Sequence, residues 1–283
     1  MSGYAGLRQR ALTAVVLAVA LLIVLFALPP IVTTQLVALV VLGGAWEWSA
    51  FLKSRLESPR RHLRFAYVLL VGLGCFVAWQ YTGTPAALSW LLGAAALWWL
   101  VALGWVMFAP ARGGPVAAAV AGLLVLIPAG VALQRLRLED NGAWLLLFAL
   151  LVVMAADIGA YFAGHRFGRT KLAPQVSPGK TWEGVFGGCA ASMLVAAVGA
   201  PLLGWPVVPL LLLAVVAAAF SVVGDLTESL MKRHSGLKDS GHLFPGHGGV
   251  LDRFDSLSAG VPVFVLGLLE SGLIGGQAGG GFQ

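Results

Sequence analysis

The most regular feature of the sequence is a series of long, continuously apolar stretches separated by short polar connections. Nine of them approach the roughly 20 residues that a helix needs to cross the ~30 Å hydrocarbon core of a bilayer. They cover residues 11–28, 31–52, 65–81, 86–108, 116–133, 143–163, 184–204, 207–231 and 257–275. Because apolar and polar residues do not alternate as they do in barrel strands, the stretches predict helices. We therefore expect an all-α polytopic membrane protein with about nine transmembrane helices.

Composition excludes a soluble domain. Apolar residues make up 59% of the 283 positions, charged residues only 11%, and the mean hydropathy is +0.90. A soluble domain carries about 25% charged residues, so this chain has too few to cover its own surface. The two cysteines, Cys75 and Cys189, lie within apolar stretches and are interpreted as packing residues.

The basic residues predict an orientation. Sixteen of the 18 lysines and arginines fall on the side that holds the N-terminus and the even-numbered connections, and only Arg135 and Arg137 fall on the other side. Cytoplasmic loops of membrane proteins carry an excess of basic residues. The N-terminus is therefore predicted to be cytoplasmic and the C-terminus to lie on the opposite side. The short tails and the single compact unit favour a prokaryotic cytoplasmic (inner) membrane, with a eukaryotic organelle as the alternative.

The two halves of the chain differ in polarity. Residues 1–140 are predicted to form a transmembrane scaffold of about five helices, and residues 141–283 a catalytic region with cytoplasmic loops at 164–183 and 232–256. Glu47, between Trp46 and Trp48, is interpreted as an interfacial residue among aromatic anchors and not as a site residue.

Three acidic residues of the second half stand where apolar stretches end on the predicted cytoplasmic side: Asp157, Asp225 and Glu228. A carboxylate within the bilayer costs about 2.5 kcal/mol or more, so such residues are rarely without a role. Together they predict an oxygen-rich site for a hard cation such as Mg²⁺. The alternative is that each forms an interfacial salt bridge with a nearby Arg or Lys.

The connection after the sixth stretch has the composition of a phosphate-binding loop. Ser177, Lys180 and Thr181 supply hydroxyl and ammonium donors, and Gly179 lets the backbone approach an anion. Ser-Pro-Gly is also an ordinary turn sequence, and the spacing is not that of a Walker A loop.

The connection after the eighth stretch is the most informative. Between Ser229 and Asp255 it holds four basic residues, Asp239, Asp252 and a His-Gly-Gly run. The stretch resembles the signature of the phosphatidate cytidylyltransferase (CDP-diacylglycerol synthase) family: Ser-x-apolar-Lys-Arg, four residues, Lys-Asp-x-small, then Pro-x-His-Gly-Gly-apolar-x-Asp-Arg-apolar-Asp. Residues 177–184 and 157–168 are similar to two further family elements, with Gly179 where the family commonly has Lys and His165 where it has Gly before Arg166.

The resemblance implies transfer of CMP from CTP to phosphatidate, giving CDP-diacylglycerol and pyrophosphate. The residues fit this reaction, because the attacking phosphate monoester is already an anion and needs no general base. Catalysis is then expected to rest on positioning and on charge neutralisation, chiefly by Mg²⁺. We expect phosphatidate, CTP and membrane lipids as partners, a homodimer as a candidate assembly, and no nucleic acid.

Each candidate residue receives an expected role. The metal-ligand candidates are Asp225 and Asp252, with Asp157 and Glu228 either as further ligands or as groups that orient the ligands. The predicted catalytic set joins these two aspartates to Lys238, His247 and Arg253. The residues expected to bind the phosphates are Ser177, Lys180, Thr181, Lys232, Arg233, Gly248 and Gly249.

Two other functions remain open. A sister enzyme could use CTP on another lipid acceptor, such as a polyprenyl alcohol or an archaeal ether lipid phosphate. An ion-coupled transporter is disfavoured, because the acidic residues gather at one interface and the halves show no inverted repeat.

Overall fold

The computed structural model describes residues 15–52, 61–237, 239–241 and 248–275. Nine helices are present within these ranges, and they are numbered here in chain order. They are α1 (Val15–Phe26), α2 (Pro30–Trp48), α3 (Arg61–Tyr81), α4 (Pro85–Phe108), α5 (Pro115–Leu138), α6 (Gly142–Phe167), α7 (Trp182–Leu202), α8 (Val207–Ser235) and α9 (Leu251–Glu270). The prediction of an all-α polytopic membrane protein is confirmed.

Seven helices, α2 to α8, are long and apolar enough to cross a membrane. The first predicted span is described only over Val15–Phe26, which is shorter than a spanning helix. The last predicted span began at residue 257, whereas α9 begins at Leu251 and includes Asp252 and Asp255. Within the described residues, the structure thus supports seven of the nine predicted spans by length and composition.

The helix ends follow local sequence rules. Three helices begin with proline, at Pro30, Pro85 and Pro115. Proline suits the first helical position because an N–H group there would lack a helical partner. Helix α8 ends just before Gly236, which has φ 66° and donates its N–H to the Arg233 carbonyl. These ends place the polar connections close to where the apolar pattern predicts them.

One element differs from the predicted loops. Strands β1 (Lys171–Ala173) and β2 (Ser177–Thr181) form an antiparallel hairpin between α6 and α7, with Lys171 opposite Thr181. Sequence reasoning missed the hairpin because Pro178 and Gly179 are unfavourable within strands. The segment predicted to bind phosphate is therefore a defined ribbon and not a loop.

Helices α6 and α7 are packed closely through small residues. The space beside Gly159 is filled by the Gly187 carbonyl oxygen and the Ala191 side chain, and Ser192 Oγ donates to the Val152 carbonyl oxygen at 2.7 Å. Small residues permit such close approach of helices in lipid. This contact fixes the end of α6 against the start of α7, where the candidate site lies.

We expect Gly159→Ala to destabilise the protein by about 1–3 kcal/mol, because the new methyl group would overlap the α7 backbone. Thermal unfolding in detergent measures the effect. The matched control is Gly93→Ala in α4, where an added Cβ has no neighbour within 4 Å. Equal melting temperatures for the two variants would contradict the packing described for α6 and α7.

Candidate active site

A cavity of about 540 Å³ lies where α6 and α8 approach their C-terminal ends and α7 and α9 begin. The β-hairpin forms one wall. Its lining residues are Asp157, Ala160, Tyr161, Gly164, His165, Leu172, Gly179, Lys180, Thr181, Gly184, Val185, Val222, Asp225, Asp252, Asp255 and Ser256. The cavity is thus built at the bundle end that the basic residues predict to be cytoplasmic.

Carboxylates dominate the polar part of this cavity. Asp157, Asp225 and Asp255 interact electrostatically with one another. Asp157 Oδ1 accepts a hydrogen bond from Ser256 Oγ at 2.9 Å, while its side chain remains exposed. Carboxylates held close together repel each other when they are ionised, so a cation bound among them would stabilise their charged forms.

Lys180 supplies a positive charge within the cavity. Its Nζ lies 2.5 Å from Asp225 Oδ2 and donates to the Val222 carbonyl oxygen at 3.4 Å. Ser229 Oγ donates to the other oxygen of Asp225 at 3.3 Å. The ammonium of β2 therefore stands at the most accessible carboxylate of α8, where an incoming cation would compete with it.

A second ion-pair group fixes α8 to the start of α9. Lys232 Nζ lies 3.1 Å from Glu228 Oε1 and 2.9 Å from Asp252 Oδ1. Asp252 also accepts hydrogen bonds from the backbone N–H groups of Ser240 and Gly249. Glu228 is 2% exposed, so Lys232 neutralises a buried carboxylate while it holds Asp252 in place.

Comparisons with known proteins identify the family of this chain. The family model described as "Cytidylyltransferase family" matches residues 8–269, nearly the whole chain. This chain belongs to the cytidylyltransferase family. It is 40% identical to a phosphatidate cytidylyltransferase of Haemophilus influenzae, over 91% of this chain and 97% of the relative. It is 42% identical to a Pseudomonas aeruginosa protein of the same name, over 94% of this chain and 98% of that protein.

The structure brings five of the predicted site residues to the cavity of this cytidylyltransferase family member. They are Asp157, Lys180, Thr181, Asp225 and Asp252. Thr181 also caps α7, since its Oγ1 accepts the Gly184 N–H at 3.2 Å. The hydroxyl therefore has a structural role as well, although its own proton remains available to a ligand.

The remaining described candidates lie outside the cavity lining. Among the residues that the structure describes, those that do not line it are Ser177, Glu228, Lys232, Arg233, Gly248, Gly249 and Arg253. Arg233 Nε donates to the Val176 carbonyl oxygen at 3.4 Å, which ties α8 to the hairpin. Arg253 is exposed in the first turn of α9. Lys238 and His247 are outside the described residues.

Gly249 has a defined contact within the protein. Its N–H donates to Asp252 Oδ2 at 2.7 Å, and its expected approach to a phosphate stays a prediction. A Cβ at this position would lie too close to the side chains of Glu47 and Ser240. Glycine therefore lets the backbone pack closely against these two side chains. Gly248 has φ 80°, a conformation that glycine adopts without strain.

Sequence reasoning missed several cavity residues. Asp255 lies three positions after Asp252, and this spacing on a helix predicts a shared face once α9 is known to begin at Leu251. Ser256 and His165 also line the cavity. Their positions follow from the packing of α6 against α9, which no local pattern shows.

The structure corrects the interpretation of Glu47 as an interfacial residue. The residue is 7% exposed and accepts hydrogen bonds from Ser240, Val250 and Leu251. It thus contacts the signature segment and is not simply an interfacial residue among tryptophans. Its partners lie about 200 positions away in the sequence, which explains why the sequence gives no signal.

The donor set fits Mg²⁺ only in part without a substrate. Within the described ranges, no group of three or more His, Cys, Asp or Glu side chains has the geometry to hold a metal ion. Magnesium is commonly bound through one or two carboxylates, with substrate phosphates and water completing its shell. Asp225 and Asp157 both line the cavity, and their carboxylates are the kind of ligand that such a shared site uses.

Proposed function

We propose that this protein transfers CMP from CTP to phosphatidate, forming CDP-diacylglycerol and pyrophosphate. The observation that carries the proposal is the cavity at one end of the membrane helices, in which Asp225 and Lys180 face each other among further carboxylates. Family membership and the names of the two relatives support the same reaction. Other lipid acceptors for CMP are the alternative that the assay below tests.

The chemistry asks the protein to bring two phosphate groups together. A bound Mg²⁺ would supply charge neutralisation at the triphosphate. Asp225 is the leading ligand candidate, because its carboxylate faces the cavity and its described contacts are with Lys180 and Ser229. Asp252 was ranked equal to it from the sequence, but both of its oxygens already bind Lys232 or backbone N–H groups.

Lys180 is proposed to change partner when substrates bind. Its ammonium lies against Asp225, the carboxylate that would hold a divalent cation, and both residues line the cavity. Once it leaves Asp225, the ammonium would bind a phosphate of CTP as a point charge. Asp157 and Asp255 add two further carboxyl groups to the cavity lining.

The lipid is proposed to reach the cavity from the side, between helices. Tyr161 lines the cavity and is nevertheless 66% exposed on the outer surface of α6. Its neighbour Phe162 and Phe186 on α7 are also exposed, which gives this side an apolar surface. A phosphatidate headgroup could then enter while its acyl chains stay in the bilayer.

The location of the site is part of the proposal. The asymmetry of basic residues supports a cytoplasmic active site in a prokaryotic inner membrane, and the relatives named above are bacterial. CTP would reach a cytoplasmic cavity directly from solution. A homodimer stays a prediction.

The test is an assay with purified protein, Mg²⁺, radiolabelled CTP and phosphatidate, scored for a lipid-soluble cytidine product. We expect product with phosphatidate, none without it, and none after chelation of divalent cations by EDTA. Parallel reactions contain a polyprenyl alcohol or an ether lipid phosphate in place of phosphatidate. Product with one of these acceptors and none with phosphatidate would overturn the proposed substrate.

A further inference from the structure

Glu47 connects the N-terminal half of the chain to the signature segment. It lies next to the last residue of α2, and its carboxylate accepts the N–H groups of Val250 at 3.0 Å and Leu251 at 2.9 Å. Ser240 Oγ donates to the same carboxylate at 3.1 Å. Within the described ranges, Glu47 forms no ion pair. Its buried charge is therefore stabilised there by hydrogen bonds from the signature segment.

These bonds supply what the start of α9 lacks. The first N–H groups of a helix have no acceptor within the helix, and its N-terminus carries a partial positive charge. Val250, the residue before α9, provides no side-chain cap. Glu47 accepts two of these N–H groups from another helix, so α2 determines where α9 begins.

The backbone at Gly241 and Gly249 packs closely against the Glu47 carboxylate. An added Cβ at Gly241 or at Gly249 would collide with the Glu47 side chain. The N–H of Gly249 donates to Asp252, whose carboxylate lines the cavity and pairs with Lys232. A displacement at Glu47 would therefore move the backbone that orients Asp252.

We propose that Glu47 is a positioning residue for the active site. It acts through residues 249–251 to hold Asp252 and the first turn of α9 against the cavity, which Glu47 itself does not line among the described residues. This role rests on the proposed function, because the site it serves is the proposed CMP-transfer site. It also assigns a function to a helix of the half predicted to be only scaffold.

Glu47→Gln is the sharpest variant, because it keeps the size of the side chain and replaces one acceptor oxygen by an NH₂ donor. At least one of the N–H groups of Val250 and Leu251 then loses its acceptor. We expect kcat/KM for CTP, per folded molecule, to fall about 10- to 100-fold. Losses of this size are typical when a residue that orients a site residue by hydrogen bonding is replaced. The matched control is Glu139→Gln. Glu139 directly follows α5, and its carboxylate accepts the Gly275 N–H.

Hydrogen–deuterium exchange of the full-length protein separates positioning from general stability. We expect faster exchange in the segment 249–255 of Glu47→Gln, with α6 and α7 unchanged, and wild-type exchange there in Glu139→Gln. Unchanged exchange in this segment, or faster exchange with wild-type kcat/KM, would overturn the proposal. If Glu47→Gln does not fold, Gly249→Ala perturbs the same contact from the other side and is measured in the same way.

Failure of the proposed function would look different. In that case the wild type makes no cytidine lipid from phosphatidate, yet Glu47→Gln still accelerates exchange at 249–255. Wild-type activity together with unaltered exchange and kinetics in both Glu47→Gln and Gly249→Ala refutes the positioning role alone.

Discussion

Asp225→Asn is expected to lower the formation of cytidine lipid by about 1,000-fold, while the protein remains folded. The substitution preserves the shape of the side chain and its contact with Ser229, but removes the charge that faces the cavity. Without this charge the cavity loses its leading ligand candidate for a divalent cation. Lys180 also loses its ion-pair partner, so its ammonium no longer has a fixed starting position.

Initial rates at saturating CTP and phosphatidate measure this effect, with size-exclusion profiles and melting temperatures as the measure of folding. Asp140→Asn is the matched control, since it makes the same chemical change at an exposed position before α6. We expect wild-type rates for it. Wild-type activity of folded Asp225→Asn would refute the assignment of this carboxylate to the cation.

Lys232→Met is expected to cause the largest loss of stability, about 3 kcal/mol. The lysine is the ion-pair partner of both Glu228 and Asp252, and Glu228 is almost fully buried. Removing the ammonium leaves an uncompensated carboxylate in the protein interior, which costs far more than an exposed ion pair contributes.

The double variant Lys232→Met with Glu228→Gln separates folding from catalysis. Neutralising Glu228 should recover most of the lost stability, because no unpaired charge remains at that position. Activity should stay at least about 10-fold below wild type, since Asp252 still lacks the ammonium that orients it. Thermal unfolding and initial rates measure the two effects, and Arg112→Met controls for loss of a basic residue at an exposed position. If the double variant is no more stable than Lys232→Met, the unpaired charge of Glu228 is not the cause of the lost stability.

The sequence predicts the membrane class and much of the site, for a physical reason. A carboxylate is costly within an apolar stretch, so Asp157 and Asp225 stand out from their surroundings, and both line the cavity. Asp252 was found through the motif and also lines it. Glu228 stands out equally, yet it lies behind the cavity and is paired with Lys232. The free-energy cost of a carboxylate in an apolar stretch identifies a residue with a role, but it does not tell whether that residue contacts substrate.

Other features depend on contacts that no local pattern contains. Glu47 receives its partners from residues 240–251, on the far side of six intervening helices in the chain. A glycine at position 249 is compatible with a phosphate-binding loop and with a close backbone contact, and the contact with Glu47 is visible only in the structure. The start of α9 was predicted too late because Asp252 and Asp255 interrupt the apolar pattern, although they belong to the helix.

Asp225 is proposed to hold a divalent cation together with the CTP phosphates in the cavity. Electron paramagnetic resonance of Mn²⁺ added to the purified protein with CTP tests this most directly, because coupling of the Mn²⁺ signal to phosphorus reports a shared site. We expect a bound Mn²⁺ coupled to nucleotide phosphorus in the wild type and in Asp140→Asn, and loss of that bound signal in Asp225→Asn. The same Mn²⁺ affinity and phosphorus coupling in Asp225→Asn as in the wild type would contradict the account.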